Sequence, residues 1–170
     1  RDDRPLLVLE DLGAARWPPP WQPGDVDLVL EALEQLHRAP VPSAVPDGEP
    51  TLRAELQGWG RVAVQPLPFL ALGLVSRGWL ERALPVLGAA ERVARVAGSS
   101  LLHQDVRSDN LCFVDGRAVL VDWSWAVRGN PALDAAFWAP SLAAEGGPLP
   151  EEVAGHEPAL AAAVSGFFAS

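Results

Sequence analysis

An Asp-Gly pair between two β-prone runs is the feature that most restricts how this chain can fold. The pair is Asp115-Gly116, and the runs on either side of it are rich in Leu, Val and Phe. Both central positions of a two-residue hairpin turn need positive φ, which makes Asp-Gly one of the strongest signals for such a turn. The sequence therefore predicts a tight β-hairpin in which Val114 faces Arg117.

Three oxygen-bearing side chains converge at the open end of this hairpin. The same register places Asn110 opposite Val121, so Asn110 and Asp122 emerge as near neighbours, and Asp105 lies on the loop that feeds this end. An ideal strand would point Asn110 and Asp122 to opposite faces, so a bulge or strand end has to turn one of them. Mg²⁺ prefers oxygen ligands, and phosphoryl transfer needs positioned metal ions and a carboxylate for the attacking hydroxyl. The arrangement predicts Mg²⁺ and phosphate chemistry.

Helical periodicity dominates most of the remaining chain. Two further segments are predicted to be non-helical: residues 6–9 form a buried strand, and residues 17–21, with three prolines, form a stiff connector. The predicted helices are one from Asp25, as N-cap, to Arg38, a short one near residues 52–57, one over residues 79–97 with Gly98 as C-cap, which Pro85 and Gly88 should kink or divide, one capped by Asn130, and one starting near Pro150.

Composition limits the classes of function. The 170 residues are 49% hydrophobic, which suits one globular core, and the formal net charge of −9 disfavours nucleic acid as a partner and would suit a cationic substrate. The longest apolar run, residues 66–75, is about half the ~20 residues that a membrane helix needs. Cys112 is the single cysteine, and no signal peptide is visible. We expect a soluble cytoplasmic protein that binds neither nucleic acid nor membrane.

The spacing of four residues resembles that of a known enzyme group. His103, Asp105, Asn110 and Asp122 form His-x-Asp-x-x-x-x-Asn followed by a hydrophobic residue and Asp. This pattern resembles the catalytic loop and metal-binding pair of protein kinases and, more closely, of the aminoglycoside phosphotransferase and choline kinase-like families. Further similar stretches are Asp122-Trp123, residues 129–134, the hinge-like residues 7–13 and the helix ending in Leu36-His37.

The resemblance implies an α+β, protein kinase-like fold. Residues 1–13 would be the last N-lobe strand and the hinge. Residues 14–170 would be the helical C-lobe, with the catalytic loop at 103–110 and a β-hairpin beside it. On this reading the N-lobe is largely absent and the chain is the catalytic half of a longer protein.

The resemblance also assigns roles within the catalytic loop and around it. Asp105 would be the catalytic base, and Asn110 and Asp122 would ligate Mg²⁺. His103 would brace the loop, and Asp134 would hydrogen-bond it from the following helix, although the residue by itself favours a role for Asp134 only as a helix-start residue. The implied activity is transfer of the γ-phosphoryl group of ATP to a hydroxyl of a small, aminoglycoside-like molecule.

Nucleotide contacts are implied at both ends of the site. Backbone groups of Glu10 and Leu12 would meet the adenine, and Arg107 could reach the γ-phosphate or form a surface ion pair. Kinases also use a Gly-rich loop and a Lys paired with Glu, but the 170 residues include no Lys. Ser124 stands where relatives often have Glu, and it has no evident role.

Side chains outside the motif receive simpler interpretations. His37 is expected to pack at the end of its helix, and Asp109 is expected to be a solvated loop residue. The tryptophans are expected in the core or in packing between lobes rather than at a substrate. The acids expected on a solvated face are Glu145, Glu151, Glu152 and Glu157.

Two alternatives belong to other classes. A non-catalytic binding module with a kinase-like fold would keep the architecture, although the complete set of Asp105, Asn110 and Asp122 argues against it. A non-haem iron oxygenase would use His103, Asp105 and His156 as its two-His, one-carboxylate triad. The helical periodicity around His156 speaks against the β-strand architecture of those enzymes.

Overall fold

A computed structural model describes residues 10–170 of the protein, so the strand predicted at residues 6–9 lies outside the described part. Within that part, helices dominate and the strands form two small antiparallel sheets. The helices are α1 Asp25–Arg38, α2 Glu49–Glu55, α3 Gly58–Val64, α4 Pro66–Ala71, α5 Arg77–Val93, α6 Ala132–Ala144, α7 Pro150–Val153 and α8 Pro158–Ala169. The strands are β1 Ser100–Leu102, β2 Leu111–Val114, β3 Arg117–Leu120 and β4 Val127–Gly129.

The β2–β3 hairpin has the register that its turn sequence predicts. Val114 pairs with Arg117, and the two strands are antiparallel. Asp115 and Gly116 have φ angles of 49° and 72°, the left-handed values that a tight turn of this kind requires. The hairpin prediction is confirmed.

The second sheet was not predicted. Strand β1 pairs antiparallel with β4, with Ser100 opposite Gly129 and Leu102 opposite Val127. The strands have three residues each and are separated by the whole hairpin, so no local turn signal marks the pair. Because β1 leads into His103 and β4 follows the segment after Asp122, this small sheet brings both segments of the motif to the same side of the molecule.

Helix α1 ends at Arg38 as predicted, but Asp25 is not its N-cap. Gly24 precedes the helix, and Asp25 is its first residue. The buried Asp25 carboxylate accepts a hydrogen bond from the backbone N–H of Gln22 at 2.7 Å and forms an ion pair with Arg16. The Arg16 guanidinium also lies 4.3 Å from the ring centre of Phe113. The Asp25 carboxylate therefore binds Arg16 and Gln22 in the segment before α1 rather than capping the helix.

Helix α5 differs from its prediction at both ends. It starts at Arg77, where Ser76 accepts a hydrogen bond from the backbone N–H of Trp79, and it continues as one helix through Pro85. Proline removes one helical hydrogen bond, but α5 is held along its length by packing against α3 and α8. The helix ends at Val93, so the prediction of Gly98 as C-cap is wrong. Gly98 instead lies so close to the Gly129 carbonyl that a Cβ would not fit.

The short helix expected near residues 52–57 is found as α2, but α3 and α4 were not predicted. The start of α3 is stabilised from a distance. Both carboxylate oxygens of the buried Glu91, on α5, accept backbone N–H groups at the beginning of α3, from Trp59 and Gly60, at 2.9 Å each. These helical N–H groups have no partner within their own helix. A cap supplied from another helix leaves no local sequence signal.

The C-terminal helices follow the predicted start signals but not the predicted extent. Asn130 accepts a hydrogen bond from the backbone N–H of Ala132 at 3.2 Å, which places α6 within one residue of its prediction. A helix does begin at Pro150, but it ends at Val153, and α8 then begins at Pro158. None of the helices in the described residues is long and apolar enough to cross a membrane.

Three groups of buried side chains form the core. The first lies between α2, β1, α6 and α8, the second between α1, the hairpin and α6, and the third between α3, α4 and α5. The second group surrounds the start of β2 and includes the fully buried Leu111 and Trp138. The loop before β2 is thus supported by a packed core. Representative members are Leu102, Leu133 and Leu160 in the first group, Val29 and Leu33 in the second, and Trp59 and Leu80 in the third.

Candidate active site

The loop between β1 and β2, residues 103–110, closes on itself through Asp105 and Asn110. The Asn110 Nδ2 donates to Asp105 Oδ2 at 2.6 Å and to the Asp105 carbonyl at 3.0 Å. Both partners are acceptors only, so the orientation of the Asn110 amide is fixed and its Oδ1 points away from them. No described residue donates a hydrogen bond to that oxygen, which leaves it free to bind another group.

Asp122 lies just beyond the end of β3, where the chain turns. The backbone N–H of Val121 donates to the Asn110 carbonyl at 2.9 Å, continuing the pairing one step past the hairpin. Asp122 itself has a φ of 59°, a left-handed conformation that non-glycine residues rarely adopt. The chain therefore turns at Asp122, one of the two side chains that the ideal register would have sent to opposite faces.

Ser124 holds the Asp122 carboxylate. Its hydroxyl and its backbone N–H both donate to Asp122 Oδ1, the latter at 3.3 Å. These two bonds are the main reason that the pKa of Asp122 is lowered, since they favour the charged carboxylate. Asp122 is exposed and keeps its charge to more acidic pH than an ordinary Asp. Ser124, which had no evident role in the sequence, thus positions the carboxylate.

The donor atoms left at this end of the hairpin suit Mg²⁺. They are the Asn110 amide oxygen and the Asp122 carboxylate, one neutral and one charged oxygen ligand. Mg²⁺ is commonly bound through one or two protein oxygens, with phosphates and water completing the octahedron. The residues present therefore fit the metal that the resemblance implies.

His103 connects the Asp105 side of the site to the Asp122 side. It is fully buried, its Nδ1 accepts the backbone N–H of Asp105 at 3.3 Å, and its Nε2 donates to the Val121 carbonyl at 2.9 Å. One nitrogen accepts and the other donates, which describes the neutral Nε2–H tautomer. The ring also meets Trp123 edge-on, with centroids 4.7 Å apart. Asp122 therefore lies between two residues that His103 contacts.

Asp134, on α6, supports the loop from below. Its fully buried carboxylate accepts the backbone N–H of His103 at 3.0 Å and that of Gln104 at 2.8 Å. Gln104 has a φ of 65°, and such strained conformations persist only where the surroundings enforce them. The Asp134 carboxylate provides that enforcement, immediately before Asp105.

A comparison with protein families identifies the group to which this site belongs. The model of the Phosphotransferase enzyme family (APH) matches residues 4–163. The chain belongs to this family. A search of curated proteins and a search of solved structures returned no match. The mixture of helices and small antiparallel sheets agrees with a kinase-like α+β architecture, and membership makes the protein a phosphotransferase-type enzyme in general terms.

Two residues that the sequence placed in passive roles support the loop of this phosphotransferase. His37 was expected to pack at a helix end, but its Nε2 donates to Asp134 Oδ2 at 2.9 Å. Glu145 was expected on a solvated face, but it accepts the Ser108 hydroxyl at 2.6 Å and the Trp21 indole N–H at 2.8 Å. The prediction for Glu145 is wrong because both of its carboxylate oxygens are used to tie the 103–110 loop to the connector before α1.

Arg107 lies on the two acids of its own loop. Its Nε is 2.9 Å from Asp109 Oδ1 and 3.4 Å from Asp105 Oδ1, and about half of its side chain is exposed. Asp109 is exposed as expected. The Arg107 cation thus stands beside the carboxylate that the resemblance implies as the base, at the surface where a phosphate could compete for it.

The segment expected to meet adenine lies beside β2. Arg16 and Phe113 exchange backbone hydrogen bonds at 2.9 and 3.1 Å, and the Leu12 carbonyl accepts the N–H of Ala15 at 2.9 Å. Burial and then the charge of Glu10 raise the pKa of the Cys112 thiol. The role of Glu10 and Leu12 towards a nucleotide stays a prediction.

The iron-site alternative finds no support. Among residues 10–170, no group of three or more His, Cys, Asp and Glu side chains is gathered in a way that could hold a metal ion. Both ring nitrogens of His103 are also committed to protein partners. His103, Asp105 and His156 therefore do not form a two-His, one-carboxylate site.

A cavity of about 390 Å³ opens beside the loop. Gln104, Asp105, Val106 and Arg107 form one wall of it, and Trp125 forms part of another. The sequence offered no signal for this cavity, because its walls come from five separate parts of the chain. Trp125 is 62% exposed, so it does not belong to the core of the described residues, and packing between lobes stays a prediction for it.

Proposed function

We propose that this protein is an ATP-dependent phosphotransferase that transfers the γ-phosphoryl group to a hydroxyl of a small molecule. The observation that carries the proposal is the closed loop in which Asn110 holds Asp105, with Asp122 at the adjoining end of the hairpin. On this proposal residues 10–13 belong to the hinge and residues 14–170 to the helical lobe of a kinase-like fold. Family membership supports the general class, and the site supports this specific reaction.

Asp105 is proposed as the base. The Asn110 amide holds one carboxylate oxygen at 2.6 Å, which fixes the orientation of the carboxylate towards the cavity. The acceptor hydroxyl would give its proton to Asp105 as its oxygen forms a bond to the γ-phosphorus. The bond from that phosphorus to the β–γ bridging oxygen would break, and ADP would leave with the electron pair.

Asn110 and Asp122 are proposed as the protein ligands of Mg²⁺. When bound, the metal would neutralise charge on the phosphates of the nucleotide. The contribution of this chain is the position of the two oxygens. Asn110 is oriented by Asp105, and Asp122 is oriented by Ser124.

Arg107 is proposed to contact the transferred phosphate. Its present partners are the two acids of the loop, and a phosphate binds a guanidinium in the same forked geometry as a carboxylate. No Lys occurs in the 170 residues, so Arg107 is the cation that this loop can offer. For the same reason we expect the 170-residue chain to bind Mg²⁺·ATP weakly.

Substitution of the proposed base tests the function. Asp105→Asn keeps an oxygen to accept the Asn110 bond but removes the base, and ATP turnover by the protein with a mixture of small hydroxyl compounds should fall by roughly 10²–10⁴-fold. Turnover is measured as ADP release, together with the unfolding temperature of each protein.

Asp109→Asn is the matched control. It removes a carboxylate from the same loop that is exposed and pairs with Arg107, so turnover should stay within a few-fold of the parent protein. Equal turnover in Asp105→Asn and the parent would remove Asp105 from the reaction. A parent protein with no turnover and no Mg²⁺·ATP binding would instead favour the non-catalytic binding module.

A further inference from the structure

The cavity beside Asp105 is the place where an acceptor molecule can reach the proposed base. Asp105, Gln104 and Arg107 line it directly. Its volume of about 390 Å³ falls in the range of pockets that hold small organic molecules. An acceptor bound here would place a hydroxyl against the Asp105 carboxylate.

Most of the cavity wall is apolar and aromatic. Phe137 from α6 and Phe167 and Phe168 from α8 meet edge to face, with centroids 5.2 to 6.2 Å apart. Trp125 faces the cavity from the segment before β4. Trp125, Phe167 and Phe168 are 62%, 36% and 57% exposed. Clustered exposed aromatic side chains usually mark a surface that binds an apolar group.

Few of the side chains that line the cavity are charged. Among residues 10–170, the one acidic side chain in the lining besides Asp105 is Glu55, on α2, and Arg107 supplies a positive charge. The side chains of Thr51 and Ser141 add hydroxyl groups without charge. A polycationic aminosugar would bring several ammonium groups to a wall that offers one free carboxylate, and each unpaired group would lose hydration without a partner.

We infer that the acceptor is a hydroxylated molecule with a predominantly apolar body and at most one cationic group. The body would lie on the aromatic side chains of α6, α8 and Trp125. A single ammonium would lie near Glu55, and the hydroxyl would face Asp105. This inference rests on the proposed function, because it names the acceptor class of the same site, and it departs from the aminoglycoside-like acceptor that the sequence implied.

A matched set of three probes tests the inference by titration calorimetry on the 170-residue chain without nucleotide. The first is 3-(1-naphthyloxy)propane-1,2-diol, which is neutral, and the second is propranolol, which has the same naphthyl ether and a secondary hydroxyl but carries one ammonium. The third is kanamycin, a polycationic aminosugar. We expect saturable 1:1 binding of both naphthyl compounds and at least tenfold weaker binding of kanamycin. The reverse order of affinity would overturn the inference.

Two substitutions locate the binding. Trp125→Ser should weaken both naphthyl compounds by roughly five- to tenfold, since it removes an aromatic contact. Trp79→Ser is the control, because Trp79 is an exposed tryptophan on α5 that does not line the cavity, and it should leave both affinities unchanged. Glu55→Gln should weaken propranolol alone, by about two- to fivefold. Equal effects of Trp125→Ser and Trp79→Ser would place the binding elsewhere and refute the assignment.

The test of the acceptor class can succeed or fail independently of the test of the proposed phosphoryl transfer. Binding of the naphthyl compounds needs no phosphoryl transfer. A probe that binds but is never phosphorylated by the protein would therefore support the pocket and count against the reaction. ATP turnover that kanamycin stimulates and the naphthyl compounds do not would keep the reaction and overturn the acceptor class. Sedimentation of the chain shows whether the exposed aromatic side chains at the cavity, Trp125, Phe167 and Phe168, instead join two copies of the chain. A dimer that Trp125→Ser dissociates, with no probe bound, would also overturn the inference.

Discussion

The behaviour of single residues in this site depends on how each carboxylate is held. Asp122 is exposed, and its orientation comes from Ser124, whose hydroxyl and backbone N–H both bind Oδ1. Asp105 is held by Asn110, and Asp134 is buried and holds the loop. Because these three acids are held in different ways, substitution of each one should have a different effect on the protein.

Removal of the Ser124 hydroxyl should raise the pKa of Asp122. The hydroxyl bond is the largest cause of its lowered pKa, so Ser124→Ala should move the pKa back towards the ordinary value for Asp. The carboxylate would then be protonated, and Mg²⁺ binding lost, at a higher pH than in the parent. The measurement is an NMR titration of the Asp122 carboxyl carbon.

The lowered pKa of Asp122 also determines how its carboxyl group affects folding stability as the pH changes. A carboxyl whose pKa is lowered by folding stabilises the folded state above its unfolded pKa, and this contribution is lost as pH falls through the folded pKa. Ser124→Thr keeps a hydroxyl and serves as the control, so the pKa of Asp122 in this variant should stay close to its value in the parent protein. An unchanged Asp122 pKa in Ser124→Ala would show that the backbone N–H alone holds the carboxylate.

Residues with distant partners were the ones that sequence reasoning misjudged. His37 bonds a carboxylate 97 positions away, and Glu145 bonds the Trp21 indole 124 positions away. Neither pairing leaves a local pattern, because the partners meet only when α1, α6 and the 103–110 loop have packed together. The motif from His103 to Asn110 could be recognised without the fold, because its residues lie at fixed spacings within one short stretch of sequence.

Among the secondary-structure elements, those with local signals were predicted and those stabilised from elsewhere were not. The hairpin carries its turn in Asp115 and Gly116, and its register is confirmed. Helix α3 has its N-terminal N–H groups satisfied by Glu91 of α5. The β1–β4 pair joins residues on either side of the hairpin. Both depend on partners that sequence periodicity cannot reveal.

Two glycines in α3 test its packing, because alanine at one of them should destabilise the protein and alanine at the other should stabilise it. Gly58 is buried against α8, and an added Cβ would overlap the backbone carbonyl of Gly166. Because backbone cannot move aside as a side chain can, Gly58→Ala should lower the free energy of unfolding by about 3 kcal/mol. The measurement is urea denaturation followed by circular dichroism.

Gly60→Ala, in the same helix, is the control. The Cβ added there would approach only a Glu91 carboxylate oxygen, at 3.5 Å. Alanine favours helix over glycine, so this variant should be more stable by about 0.5–1 kcal/mol. Similar losses in both variants would indicate that α3 and α8 do not cross at Gly58.

For the whole molecule, the fold brings separate segments to one site. Strand β1 leads into Asp105, the hairpin carries Asn110 and Asp122 at its open end, and α6 supplies Asp134 beneath them. The sequence predicted the hairpin end of this arrangement, because the turn fixes the register. It did not predict the cavity, whose walls come from α2, α6, α8 and two loops, since such a surface exists only after those helices have packed.

The metal-bound nucleotide provides the most direct test of the whole account. Mn²⁺, which takes the same oxygen ligands as Mg²⁺, broadens NMR signals of nuclei near it, so titration of the ¹⁵N-labelled chain with Mn²⁺·ATP maps where the metal lies. We predict that the signals of Asp105, Asn110 and Asp122 broaden first and that Asp122→Asn, which suits the left-handed backbone there, removes most of this effect. Broadening centred on another acidic stretch, such as Glu151 and Glu152, and unaffected by Asp122→Asn would contradict the account.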